Sequence, residues 1–122
     1  MCFLQLAESA LIEKPRNATV LVHHSTFFNC SKSNHKPNEP TWYHYPLLGI
    51  RQEVYDYKKI IDKYADRFSI DKNITSGTFN LLVLRAERTD AGRYECIVED
   101  DEGHPGASAE LTVLGWIKFV MS

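Results

Sequence analysis

Asp90-Ala91-Gly92-Arg93-Tyr94-Glu95-Cys96 is the stretch on which the fold of this 122-residue chain turns. Alternation along an extended strand puts Tyr94 and Cys96 on one side of a sheet and Glu95 and Ile97 on the other. Gly92 has no Cβ, so the chain bends into that strand without a clash. Outward from this stretch, most of the chain reads as short β-rich runs broken by turn residues, the pattern of an all-β protein.

Cys30 lies 66 residues before Cys96, and Trp42 follows Cys30 by twelve. With these positions and the D-x-G-x-Y-x-C pattern of residues 90–96, the chain resembles the immunoglobulin superfamily from Glu13 to Leu114. The resemblance implies an all-β, immunoglobulin-like Greek-key β-sandwich with an inter-sheet disulfide between Cys30 and Cys96. It also implies that Trp42 covers the bridge, that Tyr94 forms a tyrosine corner, and that Arg67 and Asp90 pair to close one end. In the chain-entropy account, a covalent loop of this length stabilises the fold by roughly 4 kcal/mol.

The interval between the cysteines leaves room for the C′ and C″ strands of a variable-type domain. Trp42-Tyr43 and Arg67-Phe68-Ser69-Ile70 look like V-set positions, with an intermediate-set adhesion domain as the competing subtype. Glu110-Leu111-Thr112-Val113-Leu114 resembles a J-encoded last strand. The F-G-x-G that precedes such a strand in antigen receptors is replaced by Pro105-Gly106-Ala107-Ser108, with Gly106 alone in register. The resemblance is therefore to non-rearranging immune-type V domains rather than to antibodies.

Fourteen basic and sixteen acidic residues leave a net charge of −2, without a dense Lys/Arg cluster to track a phosphate backbone, so nucleic acid is not an expected partner. No run approaches the roughly 18 apolar residues that span a bilayer. Residues 1–12 read as a leader or expression remnant, 13–114 as one domain and 115–122 as a C-terminal tail. Three cysteines allow one intramolecular pair and leave one, Cys2 at the expected remnant. Sequons at Asn17, Asn29 and Asn73 point to the secretory pathway, hence to a secreted chain or the outer side of the plasma membrane.

Strands are expected at Val20 to Val22, Thr26 to Cys30, Trp42 to Tyr45, Arg67 to Ile70, Phe79 to Leu84, Tyr94 to Val98 and Glu110 to Leu114. The intervals Glu53–Tyr57 and Ile60–Tyr64 read as edge strands or a loose ribbon, with helical spacing arguable over Tyr55 to Tyr64. Ser31 to Thr41 and Glu99 to Ser108 are polar and turn-rich, so they read as loops.

With Cys30, Trp42 and Cys96 inward, alternation also turns Phe28, Phe68, Ile70, Phe79, Leu81, Val83, Tyr94, Val98, Leu111 and Val113 into the core. It leaves Tyr43, Tyr45, Glu95, Ile97 and Leu114 on an outer face of the kind that variable-type domains use to pair, either as an amphipathic patch or as plain solvated sheet. On the opposite sheet it exposes Phe27, Leu82 and Leu84, to be covered by a glycan at Asn29 or Asn17, or by a partner. His35 and Lys36 in the first loop, with Asp100, Asp101, Glu102 and His104 in the last, are the candidate ligand contacts. A run of carboxylates is more often a solvated loop than a site for a basic ligand.

No histidine spacing matches a metal motif and no nucleophile motif occurs, so neither metal, cofactor nor catalysis is expected. The reading is an extracellular, immune-type recognition domain that binds a protein or carbohydrate through its loops and homodimerises through the sheet face. The alternative is an adhesion domain that binds through a sheet face, and a third is a structural domain of an intracellular filament.

Overall fold

The computed structural model describes residues 11–33, 38–56, 58–98 and 106–115. Its strands form two sheets. The first holds β1 (Leu11–Glu13), β3 (Thr26–Phe28), β4 (Ser31–Lys32), β8 (Phe68–Asn73) and β9 (Thr78–Val83). The second runs in the order β2 (Ala18–Leu21), β11 (Ala107–Leu114), β10 (Gly92–Ile97), β5 (Thr41–Pro46), β6 (Gln52–Asp56) and β7 (Lys59–Ile60). Strands β6 and β7 are the extra ribbon that the cysteine interval left room for.

The chain enters on the first sheet, where β1 pairs with β4. Past the buried Pro15 it crosses to the second sheet, where β2 runs parallel to β11. Leu11, in the stretch expected to be a leader or remnant, is buried in the core and so belongs to the folded body. Ser31 and Lys32, expected in a loop, form β4 and are both buried; the Ser31 hydroxyl donates to Glu13 Oε1 at 3.0 Å. The helical spacing over Tyr55 to Tyr64 yields a single 3-10 turn, Asp62–Tyr64, because β6 and β7 take the first half into a hairpin.

Alternation decides what meets between the sheets. Strand β9 reads half-buried, buried in strict succession, and β10 the reverse. Phe28, Phe79, Leu81, Val83, Tyr94 and Leu111 are buried around Trp42 and the Cys30–Cys96 bridge, whose Cα atoms are 6.5 Å apart. The indole N–H of Trp42 donates across the sandwich to the Phe79 carbonyl at 2.9 Å. The Cys30 N–H, which faces that carbonyl in the ladder, donates instead to Asn80 Oδ1 at 2.9 Å. Here the β3–β4 line is interrupted without a change of register, since Phe28 pairs with Leu81 and Ser31 with Thr78. The indole thus ties one sheet to the other at the disulfide, and a side-chain amide satisfies the donor it displaces.

Asp90 is the hub of one end. Its carboxylate accepts two bonds from the Arg67 guanidinium, at 2.5 and 2.8 Å, and one from the Glu87 N–H at 2.7 Å. Its carbonyl accepts the Tyr94 hydroxyl, so the tyrosine corner and the ion pair meet on one residue. Gly92 follows at φ +130°, where a Cβ would lie 2.3 Å from the Tyr45 carbonyl oxygen. Only glycine permits β10 to close against β5 there.

Candidate functional site

Strand β5 carries Trp42 and His44 inward and Tyr43 and Tyr45 outward. Register sets Tyr43 opposite Glu95 and Tyr45 opposite Arg93 on β10, and Tyr43 opposite Glu53 on β6. The Tyr45 hydroxyl donates to Glu95 Oε1 at 2.7 Å, and the Arg93 guanidinium lies 4.0 Å from the Tyr45 ring centre. Arg51, at the head of β6, lies 4.1 Å from the Tyr43 ring centre. Hydrogen bonding to Tyr45, helped by nearby Tyr43 and Glu95, holds Arg51 above its ordinary pKa. Each tyrosine ring is thus capped by a cation and flanked by a carboxylate.

This differs from the expected patch in two respects. Ile97 pairs at the Thr41 end of β5, whereas Leu114 lies seven residues along β11 from Ala107, the partner of Cys96. At roughly 3.4 Å per residue that is about 24 Å, so Ile97 and Leu114 do not share one contact area with the tyrosines. Leu114 sits beside Leu21 instead. The arginines Arg51 and Arg93 were absent from the sequence reading. Arg93 follows from the alternation that exposed Glu95, while Arg51 depends on the β5–β6 register, which has a bulge after Trp42.

On the inner side of the same strand, His44 is 2% exposed and stacks on Tyr94 with ring centres 4.3 Å apart. Its Nδ1 is 2.9 Å from the Tyr64 hydroxyl and its Nε2 3.0 Å from the Ala91 carbonyl. Burial lowers its pKa, against the opposing pull of Ala91 and Asp90. Burial likewise pushes Tyr64 up to about 12.

The loop contacts expected from sequence, His35, Lys36, Asp100, Asp101, Glu102 and His104, lie outside the described residues, as does Cys2. Just before β5, Glu39 accepts the Tyr55 hydroxyl at 2.6 Å and pairs with Lys72 at 2.9 Å. Burial opposes ionisation of Glu39, yet these two partners hold it below the usual carboxylate value. Gly106 closes the approach to β11, where a Cβ would lie 2.5 Å from Ile97 Cγ1. Among the described residues no group of three His, Cys, Asp or Glu side chains could hold a metal ion, and no helix is long and apolar enough to cross a membrane.

The three sequons fall on different surfaces. Asn17 precedes β2 and accepts the Glu110 N–H at 2.8 Å, on the second sheet. Asn73 ends β8 and accepts the Ser76 N–H at 3.2 Å. Asn29 is half-buried on the first sheet, between Phe28 and Cys30.

The model of the immunoglobulin V-set domain matches residues 13–114. No curated protein sequence matches the chain. Among solved structures, the first Ig domain of the mouse polymeric immunoglobulin receptor is 15% identical with a TM-score of 0.72, over 91% of this chain and 99% of that one. A chain of the titin M10–obscurin-like 1 Ig complex is 23% identical with a TM-score of 0.66, over 88% and 95%. Titin M4 is 20% identical with a TM-score of 0.62, over 84% and 92%. At such identities the likeness carries the fold alone. The span matched by the family, in contrast, runs from the last residue of β1 to the last of β11 and takes in nearly the whole two-sheet body: the chain belongs to the immunoglobulin V-set domain family.

Proposed function

We propose that this domain is an extracellular recognition module, of immune or adhesion type, that binds a protein partner through the outer face of β5, β6 and β10. The observation that carries the reading is the pair of outward tyrosines, each held under an arginine: Arg51 over Tyr43 and Arg93 over Tyr45. Tyrosine and arginine dominate interface hot spots, and rings fixed before contact lose little further freedom on binding. Family membership, the Cys30–Cys96 bridge and the three sequons support an oxidising, extracellular setting. V-set domains are typically non-enzymatic, which agrees with a binding role.

A second copy is a fitting partner, because the face carries both signs: Arg51 and Arg93 beside Glu53 and Glu95. Light scattering from low to high micromolar concentration tests this form, and a chain that stays monomeric throughout rules the homodimer out. The wider reading is tested by staining cell surfaces with a fluorescent tetramer of the domain. Tyr45→Glu should abolish staining, with thermal unfolding unchanged. If Tyr45→Glu stains like the wild type while Asp100→Ala with Asp101→Ala does not, recognition lies in the loops and the sheet-face reading fails.

A further inference from the structure

The outer face of the first sheet has an apolar strip that no protein group covers among the described residues. Phe27 is 56% exposed, and Leu82 and Leu84 are half-buried beside it. Phe27 pairs directly with Leu82 across β3 and β9. Ser25, Asp71 and Asn80 rim the shallow groove that these three line. An apolar floor with a polar rim matches a pyranose, which has one face of C–H groups and an edge of hydroxyls.

Of the three sequons, only Asn29 is placed to deliver a sugar to this groove. The register that pairs Phe28 with Leu81 and Ser31 with Thr78 sets Asn29 opposite Asn80 of the rim. Phe28 and Cys30 are both buried, so Asn29 shares the outer face with Phe27, two residues and roughly 7 Å away. Asn73 lies four residues, roughly 13 Å, along β8 from Ser69, the partner of Leu82. Asn17 belongs to the other sheet.

Resting on the secretory reading above, we propose that Asn29 is an N-glycosylation site whose first sugars lie on Phe27 and close the strip formed with Leu82 and Leu84. In the transfer, Asn29 Nδ2 bonds to the anomeric carbon of an oligosaccharide carried on a polyisoprenyl diphosphate. The anomeric C–O bond breaks, the diphosphate leaves with the electron pair, and the amide gives up one proton. The Ser31 hydroxyl, which completes the sequon, is buried against Glu13 in the folded domain. Transfer therefore precedes closure of the sheet. Cys96 is made 66 residues after Cys30, a delay of roughly 3–13 s at ordinary synthesis rates of about 5–20 residues per second.

The test expresses the chain in secretory eukaryotic cells, maps each sequon by peptide mass, and melts the domain before and after enzymatic glycan removal. Both measurements are repeated in Phe27→Ser, whose exposed position leaves the core intact. We expect Asn29 to be occupied, and removal to lower Tm by about 4 °C in the wild type but by no more than about 1 °C in Phe27→Ser. Removal leaves aspartate at position 29 in both backgrounds, so that charge cancels in the comparison. A bare Asn29 beside an occupied Asn17 or Asn73, or equal losses in both backgrounds, overturns this inference alone. Three bare sequons with Cys30 and Cys96 reduced overturn it together with the secretory reading.

Discussion

The two sides of β5 use similar chemistry to opposite ends. Inward, Trp42 and His44 each spend their polar atoms on backbone or buried hydroxyl partners, Phe79, Ala91 and Tyr64. Outward, Tyr43 and Tyr45 meet side chains that solvent also reaches, among them Arg51, Arg93 and Glu95. A ring whose partners are buried holds the fold, because losing it strands a desolvated group. One whose partners are exposed can exchange them for those of another molecule at little loss to the fold, and so is available for recognition.

The contrast is broken most severely from the inside. Replacing Cys96 with Ala removes the bridge on which Trp42 packs and should cost about 4 kcal/mol, enough to leave the domain largely unfolded at physiological temperature. Urea titration against the oxidised parent measures the loss, and a loss below about 1 kcal/mol would show that the core stands without its bridge.

His44→Phe keeps the stacking on Tyr94 but takes the imidazole from the Ala91 carbonyl and leaves the Tyr64 hydroxyl with Gln52, at a cost of about 2 kcal/mol. It should also flatten the pH dependence of stability. Burial holds the folded-state pKa of His44 below its ordinary 6.5, so the unfolded chain takes up the proton more readily. The contribution is complete above about pH 6.5 and is lost as pH falls through the folded-state value. Melts taken at descending pH should show this decline in the wild type and a shallower one in His44→Phe.

The smallest effect belongs outside. Tyr45→Phe removes the hydroxyl's bonds to Glu95 and Arg51, both at the surface, and should shift stability by no more than about 0.5 kcal/mol. A loss comparable with that of His44→Phe would erase the distinction between the two sides of β5 and return the outer tyrosines to a structural role.

What the sequence alone determined is the inner side. Strand alternation suffices for most of the core and for the exposure of Phe27, and the family resemblance carried by Cys30, Trp42, Cys96 and the pattern from Asp90 to Cys96 implies the bridge and the Arg67–Asp90 pair. These rest on period and on a few residues with one workable place each. The tertiary structure decided what depends on register between strands distant in sequence. It brought Arg51 onto Tyr43, parted Ile97 from Leu114, took Leu11 and Ser31 into the sheets and closed the sides of His44 with Tyr64 and Ala91. It also chose Asn29 over Asn17 as the sequon that faces Phe27. Alternation assigns a side chain to a face, but only the pairing of strands settles which neighbours share it.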